Sequence, residues 1–435
     1  MAGSNQTRVV ISGIGIVSPI GIGIEPFWQN ICSGKSGIDR LTSIPTENLP
    51  SKLAGEVKDF HPELHVYNKK FLKVMSRDIQ LGVSAASDAV KDAGIKRGVV
   101  DPERFGVSFG AGHIPTTPDE LVAAVKRCAE DNSFEVTRWG EDTMGQITPL
   151  WMLRQLPNMP ACHISIEHNA QGPNNTITSQ DSSALLALAE AMRWIKRGAV
   201  DCMVVGACTS NINPVDLSRK NLIDLLSRDE DPKRACRPFD RFRNGTILGE
   251  GAAAFVVENY DHAVRRGAEK KKKTEIYAEV IGLGAGCDGK SLSNSDEESD
   301  TGLVRAVESA MRQANLMPHQ LGHINAHGKS TKIDDQVEAR AYHRLFGDDA
   351  IKIPITALKS YFGHFDAGSG AVELAASILS LRHGATPATL NYETPDPLCN
   401  LDVIHGEVRP MSKRTAMTVS RTSFGQTAAA ILRAI

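Results

Sequence analysis

Three positions in this chain carry side chains that can hold charge or move protons, each at a place where the chain changes direction. Asp181 follows a short β-like run and precedes SSALLALAEAMRWIKRG, in which Leu185, Leu188, Ala189, Met192 and Ile195 recur at helical spacing. The spacing predicts a helix headed by Asp181. Aspartate is among the best N-caps, Arg193, Lys196 and Arg197 complement the negative end of the helix dipole, and Gly198 supplies a left-handed stop. On these grounds alone Asp181 reads as a helix cap. His327 lies in INAHGKSTKIDDQVEA (residues 324–339) and His364 in LKSYFGHFDAGSGAVELAASILSL (residues 358–381), each read as lying between a strand end and a helix. A lone histidine is more often a packed, hydrogen-bonded residue than a catalyst. Two of them in matching strand-to-turn settings make a functional role an equal alternative.

The elements that must position these residues alternate in type. Apolar strand-like runs at residues 9–13, 105–110, 202–206 and 253–258 are separated by amphipathic helical stretches, an α/β pattern with strands buried between helix layers. The opening VVISGIGIVSPIG resembles a strand and glycine turn. Its G-x-G lacks a third glycine and a later acidic partner, so close packing at a strand end is the favoured reading over a dinucleotide site. Both halves repeat the order strand, glycine-bearing turn, apolar helix, with a seam after Glu258 that divides the chain into residues 1–258 and 259–435. EKKKKT (residues 269–274) and SLSNSDEESD (residues 291–300) read as exposed loops, with Lys270 to Lys273 a solvated turn.

Composition narrows the class. With 41% hydrophobic and 23% charged residues the 435-residue chain is globular and soluble, and a formal net charge of −2 gives no general affinity for nucleic acid. The eight cysteines lie far apart without a C-x-x-C pair, which argues against a zinc site or a disulfide framework and for reduced thiols in a cytoplasm. The N-terminus lacks the basic start and apolar stretch of a signal peptide, and no run approaches the ~18 apolar residues of a membrane span.

Several long motifs, in order and almost end to end, give the chain a resemblance. VVISGIGIVSPIG, RPFDRFRNGTILGEGAAAFVVE (residues 237–258), NAHGKST and KSYFGH resemble the signatures of the β-ketoacyl-acyl carrier protein synthases of the elongating, two-histidine type. The resemblance implies a thiolase-type fold, two pseudo-duplicated α/β halves in five layers (αβαβα), usually dimeric. It implies no cofactor and no metal, with acyl groups carried as thioesters on the phosphopantetheine of an acyl carrier protein. In the family a cysteine at a helix start accepts the acyl chain, because a thiolate is favoured at a helix N-terminus. Two histidines then assist decarboxylation of malonyl carrier protein. By residue-wise match these are His327 and His364, with Lys359 and Glu373 as buried charged supports and Glu338 on the following helix; Thr331 and Phe424 would meet substrate.

The chain departs from the pattern at the nucleophile. An ungapped count places Asp181 at the cysteine position, and a one-residue slip would place Gln180 there. A carboxylate is the weaker nucleophile and would form a mixed anhydride too activated to store. Close to His327 and His364, Asp181 is expected to form an ion pair and to raise both imidazole pKa values, and its charge would oppose an arriving malonyl carboxylate. In the glycine-rich gate, Ser423 and Gln426 stand for two glycines beside Phe424, which should restrict backbone swings. Lys69, Lys70 and Lys73 resemble in position the residues that meet an acidic carrier helix; a solvated helix start is an equal reading. Two functions follow. One is a non-condensing, chain-length-factor-like partner, in a homodimer or in a heterodimer with an active ketosynthase. The other is a cysteine-independent enzyme that decarboxylates malonyl carrier protein, hydrolyses an acyl thioester or transfers acyl groups with Asp181 as general base through His327.

Overall fold

The computed structural model describes residues 7–114, 118–129, 133–223, 226–269, 275–289 and 299–435. The lysine run at 270–273 and the loop at 291–298 fall outside these residues, while Ser299 and Asp300 lead directly into a helix. Ten strands build the scaffold. In the first half they are β1 (Val9–Ser18), β2 (Phe105–Ala111), β3 (Asn174–Ile177), β4 (Cys202–Ser210) and β5 (Leu248–Asn259). In the second they are β6 (Ala278–Cys287), β7 (His323–Asn325), β8 (Ile355–Thr356), β9 (Thr415–Arg421) and β10 (Gln426–Arg433). The helices that bear on the site are α1 (Arg77–Asp92), α2 (Ser183–Lys196), α3 (Pro214–Ile223), α4 (Thr301–Ala314), α5 (Lys332–Phe346) and α6 (Asp366–His383).

The two halves share one topology. The first sheet runs β1-β5-β4-β2-β3 and the second β6-β10-β9-β7-β8, in each case first strand, last, second-last, second, third. The directions match as well: the three strands nearest the join are antiparallel neighbours, and the outer ones pair parallel. β1 and β6 join the sheets by a short antiparallel ladder at Val10–Glu279 and Ile11–Ala278. Parallel strands require covering on both faces, and the inner strands are correspondingly enclosed; every residue of β1, β2 and β4 is buried.

That covering comes in layers. α1 packs on β1, β4 and β5, and α4 packs on β6 and β10, so each forms an outer layer. α2 and α6 lie between the sheets and touch strands of both. Their sequences state this position. α6 is buried from Ala367 through Leu381, on every side, which an amphipathic surface helix cannot be. α1 and α4, by contrast, each keep a polar face.

The glycine pattern of the opening strand has the same explanation in both halves. A Cβ on Gly15 would strike the carbonyl of Ala85 in α1, and one on Gly284 would strike the carbonyl of Ala306 in α4. The G-x-G of β1 is thus a close-packing device, as the sequence favours. Gly284→Ala should therefore destabilise the protein by about 3 kcal/mol through overpacking against backbone that cannot yield. An unchanged urea midpoint in that variant would contradict the close approach.

Candidate functional site

At the head of α2 the sequence expectation needs one correction. Asp181 does not cap the helix. It lies in a single 3-10 turn, Gln180–Ser182, and Ser182 occupies the N-cap position. The turn is tied by serines: Ser182 Oγ donates to the Ser179 carbonyl, and Ser183 Oγ donates to the Gln180 carbonyl while accepting from the Ser179 N–H. Gln180 sits at φ +43°, a left-handed conformation sparsely used by residues other than glycine. The result aims the Asp181 carboxylate inward, where 3% of the residue is exposed. Asp181 Oδ1 accepts a hydrogen bond from His364 Nε2 at 2.6 Å.

The two histidines reach the site by different routes. His327 follows β7 by two residues and precedes α5, as the sequence suggests. Glu338, in the second turn of α5, accepts from the N–H groups of His327 and Gly328 at 2.8 and 2.9 Å and so fixes this loop. His364 does not follow a strand end. It comes after the one-turn helix Lys359–Phe362 and Gly363 at φ +79°, and its backbone is clamped to the start of β5, donating to Ile247 O and accepting from Gly249 N–H. The imidazole planes meet edge to face, with centroids 6.2 Å apart.

Lys359 settles the tautomer of His327. Its ammonium donates to Glu373 Oε1 at 2.6 Å, to the His327 carbonyl at 2.7 Å and to His327 Nδ1 at 3.2 Å. An ammonium can only donate, so Nδ1 is the acceptor and the ring proton of the neutral imidazole is on Nε2. That Nε2–H is buried and has no hydrogen-bond partner among the described residues. It is a neutral donor ready for a carbonyl or enolate oxygen.

Electrostatics depart from expectation in one respect. Burial pushes the Asp181 carboxyl up, but His364, through its proximity and hydrogen bond, and then the Lys359 ammonium outweigh burial and hold it well below the usual carboxylate range. The anticipated charged Asp181 is therefore present. His327 moves the opposite way to the anticipated rise: burial first and Lys359 second push it well below its ordinary 6.5, against the weaker pull of Asp181. Burial and a cation held 3.2 Å from the ring act in the same direction.

Two residues not singled out in the sequence join the site. Asp366, at φ +41°, places Oδ1 3.8 Å from His364 Nε2, and Lys220 on α3 donates to that oxygen at 3.1 Å. The signal was a carboxylate two residues after a histidine at a turn. Polar atoms of Asp181, His364 and Asp366 lie within 4.8 Å of one another, close enough for a cation to bridge. Lys220 already supplies an opposing charge there.

The remaining candidates take other positions. The Thr331 hydroxyl is committed to capping α5, donating to Asp334 Oδ2 and accepting from its N–H. Phe424 stands 57% exposed on the turn between β9 and β10. In that turn Gly425 alone adopts positive φ, and the Gln426 side chain is drawn to the Asp181 turn, where Ser179 Oγ donates to Gln426 Oε1 at 2.6 Å. This bond, absent from a glycine, restrains the segment further than backbone preference alone. Lys69, Lys70 and Lys73 are exposed on a 3-10 helix just before α1.

Two outcomes test this geometry. Lys359→Met leaves Glu373 buried without its partner and should cost about 3–5 kcal/mol; a loss below about 1 kcal/mol in urea unfolding would refute the assignment. Stability should also fall with pH in two stages. His327, depressed in the folded state, resists a proton that the unfolded chain takes up near pH ~6.5, and depressed Asp181 loses its contribution only below pH ~4. His327→Gln should flatten the upper stage and Asp181→Asn the lower one in urea midpoints measured from about pH 7.5 down to about pH 2.

Comparison with known proteins places this arrangement. Residues 6–263 match the β-ketoacyl synthase N-terminal domain, and residues 277–393 match the C-terminal domain. The chain is 33% identical over 426 residues to 3-oxoacyl-[acyl-carrier-protein] synthase 2 of Coxiella burnetii, covering 97% of this chain and 96% of that protein. Against the same-named protein of Staphylococcus aureus (strain COL) it is 32% identical over 432 residues, covering 99% of each. Among solved structures, the ishigamide ketosynthase/chain length factor superposes with a TM-score of 0.85 at 26% identity, over 99% of this chain and 100% of that one. A type II PKS acyl-carrier protein in complex with its ketosynthase bound to the hexaketide matches with a TM-score of 0.81, also at 26% identity, over 99% of this chain and 100% of that one. Ketosynthase architecture, matching family domains in both halves and full-length similarity lead to one conclusion: the chain belongs to the β-ketoacyl synthase family, with the thiolase-like fold of the enzymes of fatty acid and polyketide synthesis.

Proposed function

We propose that this chain is a non-condensing member of its family, a partner subunit of the chain-length-factor type that binds acyl carrier protein. The observation that carries this reading is the buried 2.6 Å contact between Asp181 Oδ1 and His364 Nε2. With Asp181 in the nucleophile's place, the side chain at the helix start is a carboxylate that cannot store an acyl group, and it occupies the imidazole nitrogen it faces. Its negative charge also opposes a malonyl carboxylate arriving at the same point. The division into halves at Glu258 belongs to this reading, supported by the repeated strand order.

Pairing with an active ketosynthase, or with a second copy, is supported by β3. It ends its sheet, and Asn174 and Asn175 are exposed along a free backbone edge. Leu150, Met152 and Ile166 are large apolar side chains more than half exposed. The exposed Lys69, Lys70 and Lys73 suit an acidic carrier helix, and a carrier protein sits on its ketosynthase in one of the structural relatives. A cytoplasmic setting belongs to the same reading. All eight cysteines are unpaired, and among the described residues no helix is long and apolar enough to cross a membrane.

A second reading has its own observation. The unpartnered Nε2–H of His327, held by an intact Lys359–Glu373 pair, is a catalytic oxyanion donor in all but use, and it favours an enzyme that decarboxylates, hydrolyses or transfers without a cysteine. Intact-mass measurement after incubation with acyl and malonyl carrier proteins separates the two. The partner reading expects an unmodified wild-type chain, intact malonyl carrier, and acylation only in Asp181→Cys. Rapid loss of carbon dioxide or thioester with wild type alone would replace it with the enzyme.

A further inference from the structure

The carboxylate at position 181 completes a set of ligand-type side chains. Nε2 of His364 lies 2.6 Å from Asp181 Oδ1 and 3.8 Å from Asp366 Oδ1, and this trio is the one such group among the described residues. Donors bound to a single transition-metal ion at about 2.0–2.2 Å stand roughly 3–3.5 Å apart, so the two separations bracket the spacing required. Small side-chain rotations meet it. The backbone holds all three residues in place: Asp181 in the serine-tied turn, His364 clamped to β5, and Asp366 as the first residue of α6.

A buried group outside the trio points to the same ligand. His327 Nε2, on a residue 2% exposed, has no partner among the described residues and is the ring nitrogen that Lys359 does not engage. Lys359 keeps the proton on that nitrogen, so His327 cannot itself be a ligand. It can donate to a water. A metal with three protein ligands keeps a position open for one, and the charge of Asp181 already reaches this ring, which meets His364 edge to face.

Neither His364 nor Lys220 closes the site. For Nε2 of His364 to coordinate, the ring proton moves to Nδ1, which is buried without a partner and has no bond to lose. Lys220 donates to Asp366 Oδ1 at 3.1 Å, and a carboxylate oxygen keeps a second lone pair, so the ammonium becomes an outer support of that ligand. Around a neutral imidazole, two carboxylates and one ammonium leave negative charge for a cation to meet.

We propose that Asp181, His364 and Asp366 bind one divalent transition-metal ion of the zinc class, with His327 donating to its water. One imidazole and two carboxylates without sulphur favour Zn²⁺, Co²⁺ or Mn²⁺ over the soft Cu⁺, and over Mg²⁺ and Ca²⁺, which take oxygen ligands. The family resemblance implies no metal; Asp181 supplies the ligand that makes this chain different. Metal affinity stands apart from the choice between partner and enzyme, and each can fail without the other.

The test is calorimetric titration of the full chain, stripped with a chelator, with Zn²⁺ alone and then with Co²⁺ as a spectroscopic probe. One ion should bind per chain, with a visible Co²⁺ spectrum that lacks the intense near-ultraviolet band of a thiolate ligand. Asp366→Asn and Asp181→Asn should each lower Zn²⁺ affinity at least about tenfold, the least that loss of a ligand's outer support already costs. Cys287→Ser, which removes the exposed thiol, should leave it unchanged. Zn²⁺ should also raise the melting temperature of wild type and not of Asp366→Asn, so the test survives if Asp181→Asn fails to fold. No binding, undiminished affinity in Asp366→Asn, a thiolate band, or weakening by Cys287→Ser overturns the inference.

Discussion

The structure depends on placing opposite charges against each other where water does not reach. Asp181, His364, Lys359 and Glu373 are each at most 3% exposed. An isolated ion at such a depth would cost far more than any single packing contact returns, so each must find its counter-charge with good geometry. Asp181 finds His364 and Lys359 finds Glu373, both at 2.6 Å. The first pair joins segments distant in sequence: the head of α2 comes from the first half, the histidines, Lys359 and Glu373 from the second. The site exists only where the halves close on each other.

The layered architecture explains why that closure is rigid. α2 and α6 are held between two sheets, so the residues at their starts, Asp181 and Asp366, inherit positions fixed from both sides. Backbone strain is concentrated at the same points. Gln180 and Asp366 both adopt positive φ, and each adjoins a charged contact that holds it there. The Ser179–Gln426 bond adds a tether from the turn between β9 and β10. The site is built as a set of constrained turns around a neutralised core.

Within that core the two imidazoles are no longer alike. Lys359 beside Nδ1 keeps His327 a neutral donor through Nε2, whereas the Nε2 of His364 is taken by Asp181. One histidine therefore retains a free hydrogen-bonding edge and the other has its edge occupied by the chain itself. This asymmetry is what a carboxylate at the head of α2 produces: the Nε2–H of His327 stays without a partner while the Nε2 of His364 is engaged.

Much was legible in the chain because it is local. Apolar runs gave the strands, the spacing of Leu185, Leu188, Met192 and Ile195 gave α2, and the paired glycines of β1 read correctly as packing. Long ordered motifs carried the family and named His327, His364, Lys359 and Glu373. Local pattern also misled. An aspartate before a helix looks like a cap, and only the return of His364 from 183 residues away turns its carboxylate inward. The fall in the affinity of His327 for protons needed its burial and then Lys359 at its ring, and Asp366 and Lys220 drew notice only once α3 and α6 met. What the sequence by itself determined was which segments are helix and strand, and which side chains bear charge. What the tertiary structure alone decided was which charges touch, because Coulomb energy and desolvation depend on distance and burial through space, and neither quantity is written along the chain.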